Sequence, residues 1–182
     1  MRKVIAAINM TLDGICDHTA GLSADEELHS HYADILNNAG VILYGRTTFE
    51  LMKFWQELLD HPSNDESMND FAHAIDRVEK LVFSNTLTDT GWDSAKLAKQ
   101  PLEVVVEKLR NEPGKDILVG SRSLIVQLLN SKLLDELQLC IHPVIEGKGL
   151  PLFDQIHNRT NLKLNKTKSL SSGATVFYLE PK

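Results

Sequence analysis

The sequence predicts an α/β domain built on one mixed, mostly parallel sheet, with helices on both faces and an antiparallel edge at the C-terminal end. Three observations carry this reading. Short apolar runs alternate with amphipathic helical patterns through the first two thirds of the chain, as expected of parallel strands joined by crossover helices. In the last third, strand patterns follow one another, with Ser171-Ser172-Gly173 as a turn between two of them. The 182 residues, 42% hydrophobic and 24% charged, are ordinary for one globular domain covering 1–182.

Val4–Asn9 reads as a first, buried strand, and Met10–Leu22 as a loop with turn signals at Asp13-Gly14 and Gly21. Ser23 with Glu26 three positions on fits a capping box, opening a helix to about Asn38. Val41–Tyr44 is a strand and Thr47–Leu59 a helix whose apolar face includes Phe49, Met52 and Trp55. His61–Met68, polar and carrying Pro62, is expected to be a loop, followed by a short helix over Asn69–Arg77. Lys80–Ser84 is a strand, and the stretch from Asn85 through Trp92 is irregular. Pro101 suits the first turn of a helix reaching about Asn111, and Pro113-Gly114 ends it. Asp116–Val119, Ser123–Asn130 and Glu136–Ile145 then read as strand, helix and strand. Leu162–Ser169 and Thr175–Glu180 pair as a closing hairpin.

Bulk properties narrow the function classes. A formal net charge of -6 argues against non-specific binding to nucleic acid or to an anionic membrane. No stretch approaches 18 consecutive apolar residues, so no membrane span is expected. The basic, then apolar start MRKVIAAINM is too short and too interrupted for a signal peptide, which points to the cytoplasm. Cys16 and Cys140 form no CxxC pair and read as two buried thiols. No metal site is expected: His29 and His31, two apart on a helix, face different directions, and the sequence has no HExxH.

The chemistry concentrates in two strand-to-helix turns, VILYGRTTFE and DILVGSRSL. Gly45 and Gly120 would let a ligand approach the backbone closely. Arg46 and Arg122 offer forked donors for phosphate, and Thr47, Thr48, Ser121 and Ser123 offer hydroxyls at helix starts whose N–H groups favour anions. Neither turn matches GxGxxG or the P-loop pattern. Ser84-Asn85 lies at a third strand end, where small polar residues of an open α/β sheet converge on one crevice.

Taken in order, AAINMTLDG, VILYGRTTFE, KLVFSNTL, DILVGSRSLIVQLL and LLDELQLCIHPVIEGKGLPLF resemble the dihydrofolate reductase-like superfamily. The branch they resemble most is that of the C-terminal reductase domain of bifunctional riboflavin-biosynthesis (deaminase/reductase) proteins. The resemblance implies a three-layer αβα fold with about eight strands, NADPH as hydride donor and a small-molecule substrate. It implies that Gly45, Arg46, Thr47 and Thr48 hold the adenosine-side phosphates, with Arg46 on the 2′-phosphate. Ser84 and Asn85 would lie at the adenine end. Gly120, Ser121, Arg122, Ser123 and Leu124 would cradle the pyrophosphate, and Ala7 would approach the nicotinamide.

Where dihydrofolate reductases carry a pterin-binding carboxylate in the first long helix, this chain has His29, which argues against folate reduction. The second turn reads Gly-Ser where relatives usually show Gly-Gly. His29 and Asp13 are the substrate-side candidates, with His29 as a proton donor near neutral pH. The expected activity is an NADPH-dependent reductase similar to 5-amino-6-(5-phosphoribosylamino)uracil reductase, acting on a small heterocycle or sugar phosphate. The alternatives are a non-catalytic nucleotide-binding module on the same fold and a dihydrofolate reductase with a shifted acid. Homodimerisation through the late strands is expected as well, since a long sheet edge needs pairing or cover.

Overall fold

The computed structural model describes residues 1–18, 22 and 24–182. Its elements are β1 (Val4–Thr11), α1 (Glu26–Asn38), β2 (Ala39–Gly45), α2 (Arg46–Asp60), α3 (Glu66–Arg77), β3 (Glu79–Phe83), β4 (Ala95–Leu97), α4 (Leu102–Asn111), β5 (Asp116–Val119), α5 (Arg122–Asn130), β6 (Glu136–His142), β7 (Leu162–Ser169) and β8 (Thr175–Pro181). They form one sheet of eight strands in the order β4-β3-β2-β5-β1-β6-β8-β7. The first six in that order run parallel, β8 is antiparallel to β6, and β7 is antiparallel to β8.

Alternation along the strands builds the three layers. Val4, Ala6, Leu43, Ile117, Val119, Leu137 and Leu139 point to the face covered by α4 and α5. Ala7, Ile42, Tyr44, Val82 and Leu118 point to the face covered by α1, α2 and α3. The sheet is sealed on both sides through β5, which explains why its residues read as a continuous apolar run.

Several element boundaries differ from expectation for physical reasons. Helix α1 is capped by Asp25, whose carboxylate accepts from the Leu28 N–H at 2.8 Å. Ser23, the expected cap, lies outside the described residues, as does Gly21. Helix α3 begins three residues early because Asp65 caps it through the N–H groups of Ser67 and Met68. The expected loop from His61 is correspondingly short. Strand β4 is absent from the sequence expectation, since three residues show no period. Pro101 occupies the N-cap of α4, not its first turn. Strand β6 stops at His142, where Pro143 has no N–H to continue the ladder. Both cysteines are free; Cys140 is buried, but Cys16 only partly so. Among the described residues no helix is long and apolar enough to cross a membrane, and no cluster of ligating side chains could hold a metal ion.

Helix α3 is anchored at its far end by a fully buried lysine. Lys80 Nζ donates to the carbonyls of Asp76 (3.2 Å) and Val78 (3.0 Å) and to Ser94 Oγ (2.7 Å). It also lies 4.1 Å from the centroid of the Trp92 ring. A cation at a helix C-terminus is favourable, but burial pushes the ammonium down to about 8 from 10.5. Between those values the unfolded chain holds a proton that the folded chain has released, so stability rises with pH across that window. Urea unfolding of wild type and Lys80→Met should therefore show the wild type gaining on the variant by roughly 2 kcal/mol from about pH 7 to about pH 10. A difference that stays constant with pH would contradict this.

Candidate functional site

Strands β2 and β5 are adjacent and parallel, so the two glycine turns emerge side by side at their carboxyl ends. They are tied together. The Gly45 N–H donates to Ser121 Oγ at 2.9 Å, and Ser121 is 2% exposed. The Gly120 N–H donates to the Leu43 carbonyl at 3.2 Å. A Cβ on Gly120 would stand 2.7 Å from the Tyr44 ring, and one on Gly45 would stand 3.3 Å from Ser123 Oγ. These glycines make room for each other's turn, and both also line the trench beside them.

The helix starts divide into two kinds. Asp25 and Asp65 cap α1 and α3, whereas α2, α4 and α5 begin with no side-chain cap. The first N–H groups of an uncapped helix have no partner within the helix and attract anions. All three uncapped starts lie along one trench. Its centre, about 600 Å³, is lined by Gly45, Arg46, Thr47, Thr48, Gly120 and Ser123, with Ile8 and Asn9 of β1. Through Arg46 it continues into a lobe of about 610 Å³ walled by Ser84, Asn85, Thr86, Lys99 and Pro101. Through Ile8, Asn9, Thr48 and Met52 it opens inward to a pocket of about 240 Å³ between the sheet and α1, α2 and α3. Ala7 and His29 line that inner pocket.

Most of the sequence-derived candidates thus share one continuous cleft, but five serve in ways the sequence did not suggest. Arg122 borders the trench, but its guanidinium is paired with Asp154 and donates to the Pro151 carbonyl at 2.7 Å. Its backbone N–H, at the start of α5, is open to a ligand as well. Leu124 sends its side chain into the core. The Ser121 hydroxyl is occupied by Gly45, and Ser84 Oγ accepts from the N–H groups of Thr86 and Leu87. Asp13 lines neither the trench nor the inner pocket. Its carboxylate accepts from the Thr11 hydroxyl and the Gly147 and Glu146 N–H groups, which hold it down at about 2. Asp13 braces two loops and stays charged at any neutral pH. Arg46, by contrast, makes no hydrogen bond or ion pair among the described residues.

The inner pocket is aromatic. Trp55 and Phe71 pack edge to face at 4.4 Å between centroids, and His29 stands 5.5 Å from Trp55. His29 Nδ1 lies 3.3 Å from Ser67 Oγ, and that hydroxyl donates to Asp65 Oδ1 at 2.7 Å. The Ser67 hydroxyl has one proton and gives it to Asp65, so toward His29 it accepts. The imidazole therefore carries its proton on Nδ1, which leaves Nε2 for whatever enters the pocket. Donation from Ser67 is the main reason the Asp65 carboxyl lies below its ordinary range. Trp55, Phe71 and Lys99 line the candidate site, and Asp65 and Ser67 brace it, and sequence reasoning does not single these positions out. The available signal for the last two is an Asp placed just ahead of an apolar helical pattern, displaced here by a helix start set too late.

The model of the family described as the RibD C-terminal domain matches residues 2–176. YyaP, an uncharacterised protein of Bacillus subtilis, is 34% identical over 177 residues, which cover 94% of this chain and 91% of that protein. A pyrimidine reductase-like protein from Corynebacterium diphtheriae has a similar structure, with a TM-score of 0.67, 16% identity and coverage of 100% of this chain and 92% of that one. So has a diaminohydroxyphosphoribosylaminopyrimidine deaminase/5-amino-6-(5-phosphoribosylamino)uracil reductase from Thermotoga maritima, with a TM-score of 0.67 and 14% identity. The likeness covers 100% of this chain but 57% of that larger one.

The bond between the turns is testable without any ligand. Ser121→Ala leaves the Gly45 N–H buried and unpaired, which should destabilise the protein by about 1–3 kcal/mol in urea unfolding. A change within a few tenths of a kcal/mol would mean that the two turns are held together by packing alone.

Proposed function

This chain belongs to the RibD C-terminal domain family, a reductase-like domain, and from that premise we propose that it is an NADPH-dependent reductase of a small molecule. The observation that carries the reading is the trench itself. Two uncapped helix N-termini lie side by side on it, an unpartnered arginine stands at one end, and an aromatic pocket with a proton-carrying side chain lies at the other.

The residues present suit a phosphorylated dinucleotide. The backbone N–H groups of Arg122, Ser123 and Leu124, with those of Arg46, Thr47 and Thr48, fit a pyrophosphate. Arg46 would read the 2′-phosphate, with Lys99 as a second cation on the same wall. Ser84 and Asn85 border the lobe that would take the adenine. Ala7 has no side chain beyond Cβ, so the β1 surface stays open for a flat nicotinamide ring beside the inner pocket. Bound NADPH would supply the hydride. The protein's part is to orient donor and acceptor, exclude water, and offer His29 Nε2 as the atom that passes a proton from solvent to the reduced substrate. Ser67 and Asp65 set the ring orientation that makes Nε2 the available atom.

A second copy of the chain suits the far edge of the sheet. Strand β7 is an edge strand of eight residues, almost wholly exposed on both faces, and carries Leu162 and Leu164 in the open. We infer a homodimer that pairs or covers this edge. Light scattering at micromolar protein should give twice the chain mass, and a monomeric mass would contradict the inference.

The cofactor reading is tested by tryptophan fluorescence during titration with NADPH and NADH, since Trp55 lines the inner pocket. Saturable binding of NADPH is expected. Arg46→Ala should weaken NADPH by about tenfold or more, as a lost charge-assisted contact does, and leave NADH nearly unchanged. No response to either nucleotide at millimolar concentration would remove the proposal. Equal weakening of both would remove the role of Arg46.

A further inference from the structure

We propose that the molecule taken by the inner pocket is small, flat and uncharged, carries a carbonyl or imine, and bears neither phosphate nor carboxylate. This rests on the cofactor reading above and chooses between the two acceptor classes, heterocycle and sugar phosphate, that the sequence leaves open.

The pocket walls carry the argument. Trp55, Phe71, Tyr32, Met52, Leu28 and Ile42 are among the residues that line it, and no Lys, Arg, Asp or Glu is among the described residues that do. The four residues outside the described set, Thr19, Ala20, Gly21 and Ser23, include no charged type either. Charges near the pocket are committed elsewhere. Asp25 caps α1, Glu27 accepts from the Ser171 N–H at 2.6 Å, and Asp65 holds Ser67 and the start of α3. Arg122 pairs with Asp154, and His18 lies 3.4 Å from Asp17. Of the remaining cations, Lys99 borders the outer lobe and Arg46 stands between that lobe and the centre of the trench, and neither lines the inner pocket.

An anion entering this pocket would lose its hydration and gain no countercharge, a cost of several kcal/mol. The missing acids matter equally: no carboxylate faces the pocket to pair with the amidine-like edge of a pterin. The volume of about 240 Å³ admits one or two rings. Two polar groups remain to orient such a ring. His29 presents Nε2, and Asn9 has only its Oδ1 engaged, 3.1 Å from His142 Nε2. Asn9 Nδ2 can donate to an oxygen or imine nitrogen at one end of an otherwise apolar molecule, and His29 Nε2 can accept from an N–H or O–H beside it. In the reduction, the acceptor carbon gains a hydride from the reduced dinucleotide and its π electrons move to the heteroatom. The heteroatom takes a proton that solvent supplies by way of His29 Nε2.

The test uses pairs of probes that differ in one charged group: 4-nitrobenzaldehyde against 4-carboxybenzaldehyde, and uridine against uridine 5′-phosphate. Each is titrated into the full chain by tryptophan fluorescence with and without NADP⁺, so the preference is read whether or not the dinucleotide binds. NADPH oxidation is recorded with the two aldehydes. The uncharged member of each pair should bind roughly tenfold or more tightly than its charged partner, and 4-nitrobenzaldehyde should be the better hydride acceptor. Equal or tighter binding of the charged members overturns the proposal, and so does failure of both uncharged members to bind up to their solubility. Failure of the cofactor reading shows separately, as the absence of any response to NADP⁺ itself.

Discussion

The site depends on one buried hydrogen bond, from the Gly45 N–H to Ser121 Oγ. It joins the turn after β2 to the turn after β5, and each turn starts a helix. Parallel strands alone would bring the two helices to the same end of the sheet, but not into contact at their first residues. The absent Cβ atoms let the turns close on one another, with Tyr44 against Gly120 and Ser123 against Gly45. The result is two sets of unpaired N–H groups aimed into one trench. Serine at position 121 thus has a physical role: it supplies the side-chain acceptor that a glycine could not.

The opposite wall is fixed by a different device. Helix α3 is held at its start by the Asp65 cap and near its end by the buried ammonium of Lys80 under its last carbonyls. Held at both ends, it presents Ser67 and Phe71 to His29 and Trp55 without freedom to rotate. The cap is therefore doubly used. Asp65 satisfies helix N–H groups, and through Ser67 it determines which nitrogen of His29 faces the pocket. The rigid parts of the cleft belong to the sheet and turns, while the chemistry of the inner pocket belongs to the helices laid over it.

Much of this is legible in the sequence, and the failures share a cause. Strands β5 and β7 and the two turns are visible because a short apolar or alternating run, bounded by glycine or a hydroxyl residue, fits a strand end and little else. Arg46, Ser84, Asn85, Ala7 and His29 do line a single cleft. What the sequence does not display is partnership across space. Arg122 looks like Arg46 along the chain, but Asp154, far from it in sequence, occupies its guanidinium. Asp13 looks like an acid near a substrate, but its exposed carboxylate is taken up by the Thr11 hydroxyl and the Glu146 and Gly147 N–H groups. Asp65 and Ser67 read as loop residues, because Pro62 and the polar run before Asn69 mask a helix start. Strand β4 is too short to show a period and exists because β3 presents an edge for it to pair with.

The central claim is that the two joined helix starts form the phosphate end of a dinucleotide site that leads into an aromatic acceptor pocket. A crystal structure of the protein with NADP⁺ bound tests it most directly. The pyrophosphate should lie against the N–H groups of Arg122, Ser123 and Leu124, the 2′-phosphate on Arg46, and the nicotinamide ring over Ala7 facing the His29 pocket. A dinucleotide bound elsewhere, or lying in the trench with its phosphates clear of both helix starts, would contradict it.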